Sequence, residues 1–202
     1  CRSLWNWVTL SGQNLMGVGT NLKFYIEQGG GYYDVTPLRE TASLSDPFST
    51  VINTAAVTVH DTNHGCNVGD YVTFTSTSSV GGLTISGEYT VTTVIDANSY
   101  TITASSNASS TVTYPPGGGG TVTAAYQIPI GLPYAVPLTG WGAGPWGYGG
   151  WGEGVTSTAA MRLWSQSNFG EDLIFAPRGG SIYYWSATAG LNSRGVNLNT
   201  LG

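Results

Sequence analysis

Apolar and polar side chains alternate with a period of two through the middle of the chain. Between residues 51 and 126 the apolar positions are Val57 and Val59, Val72 and Phe74, Tyr89 and Val91, Tyr100 and Ile102, then Val122, Ala124 and Tyr126. Each set skips one position, which places its members on one face of an extended strand. Thr fills many of the gaps; its β-branched side chain tolerates extended backbone and turns a hydroxyl to water. The turn sequences NHG, VGD, VGG, SGE and DANS separate the runs. About five or six short strands with such punctuation predict a small barrel or sandwich. The run YPPGGGG reads as a loop before the last strand.

The flanks carry a second pattern. LWNWVTLSGQNLMGVGTNLKFYIEQ begins at Leu4, and MRLWSQSNFGEDLIFAPRGGSIYYWSA begins at Met161. Each has Leu-Trp near its start, then a polar loop, an apolar strand, a turn and an aromatic strand. Strands are expected at 15–20, 23–28 and 32–37, and again at 172–177, 181–187 and 194–198. Trp5 precedes Leu15 by ten residues and Trp164 precedes Leu173 by nine, so the two Trp are expected to be equivalent in an internal repeat. A meander of three or four strands with an aromatic second strand has the pattern of a propeller blade. Two blades do not close a ring; others would come from a longer chain or from other subunits. No segment of a dozen residues holds an apolar period of 3.6, so no helix is expected. The expected fold is all-β: propeller-like antiparallel meanders at 1–50 and 161–202, an inserted small β-barrel or β-sandwich at 51–126, and a Gly/Trp/Pro-rich loop at 127–160.

Charge narrows the function. Charged residues are 8% of the chain, against about 25% in an average globular protein. The basic residues are Arg2, Lys23, Arg39, Arg162, Arg178 and Arg194, and none lies between 40 and 161. That stretch carries Asp46, Asp61, Asp70, Glu88, Asp96 and Glu153. Without a basic groove, direct nucleic-acid binding is not expected, nor is a polybasic membrane contact. No run approaches the ~18 apolar residues of a membrane span, and no signal peptide is evident. The chain starts at Cys1 rather than Met, which is expected of a processed chain or part of a longer one; a lipidated Cys1 is the other reading. Cys1 and Cys66 define no disulfide framework.

The candidate chemistry is sparse. Gly142, Gly144 and Gly147 spell G-x-G-x-x-G, but Pro145 interrupts it and no βαβ unit surrounds it, so no dinucleotide or other cofactor is expected. His60, Asp61 and His64 are ligand types for a metal. Their spacing aligns two ligands only on a helix, and this stretch reads as a strand end and turn, so no metal is expected. Glu171 and Asp172 are adjacent, whereas paired glycosidase carboxylates flank a bond from different elements; Glu153 is the one further carboxylate of note. Cys66 near His64 along a turn is not a catalytic dyad. No catalytic residues are assigned. The seven Trp and twelve Tyr either stack on sugars or fill core and interfaces. Trp141, Trp146 and Trp151, five apart in a Gly-rich stretch, are the interface candidates. Asn107 heads a glycosylation sequon, a motif common by chance.

LMGVGTNLKFYIEQGGGYYDVTPLRET, GWGAGPWGYGGWG and MRLWSQSNFGEDLIFAPRGGSIYYW resemble virion structural proteins of tailed bacteriophages. HGCNVGDYVTFTS and VGGLTISGEYTVTTVIDANSYTITAS resemble a small β module inserted in phage tail and virion proteins. The resemblance implies a β-propeller tail component similar in role to the nozzle of short-tailed phages, located in the virion, and it carries no catalytic residues over. The expected function is non-enzymatic and structural, in the nozzle, adaptor or fibre-base region. The expected partners are further copies of the chain and other phage tail proteins. The alternatives are a carbohydrate-binding or adhesin module that contacts a host-surface glycan, and a hydrolase of envelope polysaccharide.

Overall fold

The computed structural model describes residues 1–132 and 161–200. The chain divides into two compact units, Cys1–Pro37 with Ile130–Gly202, and Leu38–Pro129. Among the described residues sixteen strands pair antiparallel, in four four-stranded sheets, and the helical content is two 3-10 turns at Ala187–Ala189 and Leu198–Thr200. The all-β expectation holds.

The chain opens with a meander, β1 (Ser3–Val8), β2 (Asn14–Gly19), β3 (Phe24–Gln28) and β4 (Gly31–Asp34), in the order β1-β2-β3-β4. Gly29 and Gly30 make the β3–β4 turn with φ of 59° and 88°. Two consecutive positive φ values define the turn whose twist matches a hairpin, and glycine adopts them without a Cβ penalty.

Then comes the inserted module: β5 (Leu38–Ser45), β6 (Phe48–Thr50), β7 (Ala56–His60), β8 (Tyr71–Thr75), β9 (Gly87–Thr90), β10 (Thr93–Asp96), β11 (Ser99–Thr103) and β12 (Thr121–Gln127). One sheet runs β5-β12-β8-β9 and the other β10-β11-β7-β6. At each border one strand passes from the first sheet into the second. β5 continues into β6 past Asp46, whose φ is 46°. β9 continues into β10 through Val91 and Thr92, where Val91 N donates to Asp70 O of one sheet and Thr92 N to Thr101 O of the other, both at 2.8 Å. Bent strands that switch sheets close corners, so the module is a closed barrel. The alternating residues read from the sequence fill it: Val57, Val59, Val72, Phe74, Tyr100, Ile102, Val122 and Ala124 are fully buried.

The second meander is β13 (Trp164–Phe169), β14 (Asp172–Pro177), β15 (Tyr183–Trp185) and β16 (Val196–Asn197), in the order β13-β14-β15-β16. It packs face to face on the first within the same unit. The Phe24 ring stacks on Phe175 at 4.2 Å between centroids and tilts against Trp164 at 4.9 Å. Trp7 meets Trp185 edge-on at 6.4 Å. Buried indole N–H groups need acceptors; Trp164 Nε1 donates to Thr20 O at 2.7 Å and Trp7 Nε1 to Glu171 O at 2.8 Å. Gly17 and Gly19 permit the approach: a Cβ on Gly17 would run into Gln166, and one on Gly19 into the Trp164 ring.

Two expectations are corrected here. Of the stretches read as polar loops, residues 9–13 are a loop, whereas the second lies largely in β13, and β1 is a further strand that was not expected. In β13 Gln166 lies between the sheets, where its Nε2 donates to Ser3 Oγ at 2.6 Å, while Ser165, Ser167 and Asn168 are exposed. Nor are Trp5 and Trp164 equivalent. Trp5 is 39% exposed and pairs with Gly17, while Trp164 is 7% exposed and pairs with Pro177. The first hairpin has a five-residue loop at 9–13 and the second a two-residue turn at Gly170 and Glu171. Aligned on their hairpins, Ser3 takes the place of Trp164. The meander topology recurs; the Trp register does not.

Candidate functional site

The reactive side chains singled out in the sequence fall at the β7 end of the barrel, each with its own partners. His64 is 2% exposed. Its Nε2 donates to Asp96 O at 3.0 Å, and its Nδ1 accepts from Cys66 N at 3.0 Å. His60 instead bonds Ser49 Oγ through Nε2 at 3.1 Å, and its ring stacks on Tyr114 at 4.0 Å and 11°. Burial pushes the His60 pKa down, against the opposing charge of Asp96. The two imidazoles are therefore not brought together. Among the described residues no three metal-ligating side chains cluster.

Arg39, on β5, organises the interior of this end. Its Nη2 donates to His64 O at 2.6 Å and to Cys66 Sγ at 3.2 Å, and its guanidinium lies 5.0 Å over the Tyr126 ring. The Cys66 thiol donates to His64 O at 3.6 Å, not to the imidazole. Burial pushes that thiol up to about 11, with the Arg39 charge opposing. The thiolate is the reactive form, so this Cys is held in its inert state at neutral pH. Tyr126 OH donates to Asp61 Oδ2 at 2.5 Å, which leaves Tyr100 OH to donate to Tyr126 across 3.0 Å. Burial raises both phenols well above their ordinary value. Within this cluster Arg39 Nε is buried without a hydrogen-bond partner, and the Cys66 thiol is not bonded to a base.

Glu171 and Asp172 diverge. Glu171 Oε1 accepts from Leu10 N at 2.5 Å, while Asp172 accepts from Ala187 N at 2.7 Å and from Tyr184 OH. Glu153 and the interface candidates Trp141, Trp146 and Trp151 lie outside the described residues.

Two arrangements escaped the sequence reading. In the meander pair, Asp34 receives Lys23 Nζ at 2.9 Å and Arg194 Nη1 at 3.0 Å, a carboxylate shared by cations from both sheets. Burial opposes its ionisation, but the Thr36 hydrogen bond, Lys23 and Arg194 prevail and hold its pKa below the ordinary value. On the barrel, a shallow cleft of about 530 Å³ opens beside the β9–β10 corner, lined by Ser86, Glu88, Tyr89, Thr90, Thr103 and Ser105 among others. Gln127, 1% exposed, donates from Nε2 to Glu88 Oε2 at 2.6 Å. The Thr and Ser of these strands showed in the sequence only as outward positions of an alternating pattern. Nothing local marked the cleft, because it forms where two strands part.

Residues 48–116 match the family model described as the beta barrel domain of bacteriophage endosialidase. This match, over the barrel, points to a bacteriophage protein. No curated protein matches the chain. Among solved structures the chain is similar to the phage phi92 endosialidase, at 14% identity and a TM-score of 0.39, over 97% of this chain and 30% of that one. The chain thus spans less than a third of that protein's length. At such a score the likeness carries no argument.

Proposed function

We propose that the chain is a non-enzymatic structural part of a bacteriophage tail, in the nozzle, adaptor or fibre-base region. It acts through contacts with further copies of itself and with other tail proteins. The carrying observation is the match of 48–116 to a phage β-barrel domain. In this reading the flanking meanders are two blades of a larger propeller, with the barrel inserted between them in sequence. Their aromatic face-to-face packing, Phe24 on Phe175 and Trp7 on Trp185, supports it. The structural role is supported by how the reactive groups are engaged: the Cys66 thiol lies far from its thiolate form, and Asp61, Glu171 and Asp172 each accept a structural hydrogen bond. Electron microscopy of purified particles with gold-labelled antibody against the chain tests the assignment. Label is expected at the tail. Label on the head, or none on intact or opened particles, would overturn it.

A further inference from the structure

The two meanders pack on each other in a way that a further sheet can continue. Along a strand, alternate residues aim their backbone bonds at the strand before and the strand after. For L-residues that choice also fixes which face the side chain takes. In the first meander Thr9 N donates to Gln13 O across the first hairpin, while Thr20 N donates to Lys23 O toward β3. Leu15, Gly17 and Gly19 therefore bond to β1, the strand before, and they lie on the face that meets the second meander. In the second meander Arg178 N donates to Leu163 O. The even positions of β14 thus bond to β13, and Leu173 and Phe175 bond to β15, the strand after. Leu173 and Phe175 are nevertheless the ones buried. The meanders share one topology, so their buried faces are opposite faces of it. The front of one lies on the back of the other.

A front-to-back contact is heterologous, and such a contact leaves one front and one back still outward. Both outward faces carry exposed apolar side chains. On β1, Leu4 and Val8 alternate with the inward Ser3, Trp5 and Trp7 and are 59% and 56% exposed. On the second meander, Phe169 and Val196 alternate with inward neighbours in the same way and are 71% and 44% exposed. An apolar sheet face is stable when another layer covers it. The outward face of the first meander is the face that the second uses inside, and the converse also holds. An unrelated partner would have to fit two different faces, whereas a second copy presents each face with its complement. We propose that copies of this chain stack head to tail, the outward face of the first meander lying on the outward face of the second meander of the next copy. Such a contact closes into a ring where the rotation permits and otherwise grows as a filament. It rests on the tail reading for the association of copies. Mass measures the contact and gold label the place in the particle, so either can fail without the other.

Analytical ultracentrifugation of the whole chain tests it. Wild type is expected at twice the monomer mass or more. Leu4→Asp charges one face and Phe169→Asp the other; both positions are exposed, so circular dichroism is expected to stay unchanged. Each variant alone is expected to be monomeric. Mixed in equal amounts, the two are expected to form a one-to-one dimer, because each keeps the face that the other has lost. A contact between like faces would instead leave one variant associated with itself and give no such dimer. If Leu4→Asp or Phe169→Asp fails to fold, Val8→Asp or Val196→Asp takes its place. A monomeric wild type, self-association kept by either variant, or a mixture that stays monomeric overturns the proposal.

Discussion

In the barrel, the strands that border one sheet pass on into the other, and the hydrophobic cluster from Phe48 to Tyr126 is drawn from the barrel's own strands and loops. In the meander pair, β1, β4, β13 and β16 each end a sheet among the described residues. Exposed apolar side chains lie on these strands at Leu4, Val8, Tyr32, Phe169 and Val196, while those of the barrel lie in loops at Val51, Ile52, Val68 and Tyr114 and on a strand at Ile95. A closed barrel removes the unpaired backbone that invites another strand, whereas open edges must be managed or used. The same chain thus holds one unit closed on itself and one whose described sheets end in edge strands. This difference is why the proposed association with further copies and other tail proteins is placed on the meanders.

The largest test of this contrast is to empty each core in turn. Phe74 fills the barrel, where Phe48 meets it edge-on at 5.2 Å, and Phe24 fills the pair between Phe175 and Trp164. Phe74→Ala and Phe24→Ala each remove a fully buried ring, at a cost of about 3–5 kcal/mol. Scanning calorimetry is expected to show two transitions, with Phe74→Ala lowering only one and Phe24→Ala only the other. A single transition lowered equally by both would mean that the two units melt as one, and the contrast would fail.

The sequence made the barrel far more legible than the pair. Period-two alternation marks a strand buried on one face, and Val57, Val59, Val72, Phe74, Tyr100 and Ile102 obey it without exception. The pair hides its logic in residues with no hydrophobic signature. Gln166, Ser3, Gly17 and Gly19 build its interface through a hydrogen bond and close approach, so β1 was not expected as a strand and β13 read as a polar loop. Trp5 and Trp164 suggested a register that a loop three residues longer than its counterpart displaced. The candidate site was legible only as negatives: His60 and His64 apart, Glu171 and Asp172 diverging. Glu88, Gln127 and Asp34 were not legible, because their partners are 39, 39 and at most 160 residues away in a topology no local pattern states. Gly19 sharpens the point. Gly19→Ala adds one methyl group that meets the Trp164 ring, and overpacking of this kind costs about 1–3 kcal/mol. It should lower the transition that Phe24→Ala lowers and leave the other in place; an unchanged pair would show that the sheets are not packed on Gly19.

The smallest expected effects lie in pH, and different groups carry them in the two units. Asp34 has a lowered pKa in the folded pair, so the charged form is bound in preference to the protonated one. Its contribution is complete above the ordinary value of 3.8 and is lost as pH falls through the lower folded value. Tyr100 and Tyr126 have raised pKa values in the folded barrel, so there the protonated form is preferred. Their contribution is complete below the ordinary value of 10.0 and drains away above it, as the unfolded chain ionises first. Each unit has both limbs: burial raises Tyr183 in the pair, and burial lowers His60 in the barrel, where stability is then lost as pH falls through the ordinary imidazole range. The substitutions isolate each limb. Asp34→Asn is expected to flatten the acid limb of the pair's transition, and Tyr126→Phe the alkaline limb of the barrel's, each read from melting temperature against pH. Acid limbs that stay parallel in wild type and Asp34→Asn would show that the Lys23–Asp34–Arg194 cluster contributes nothing to holding the two meanders together.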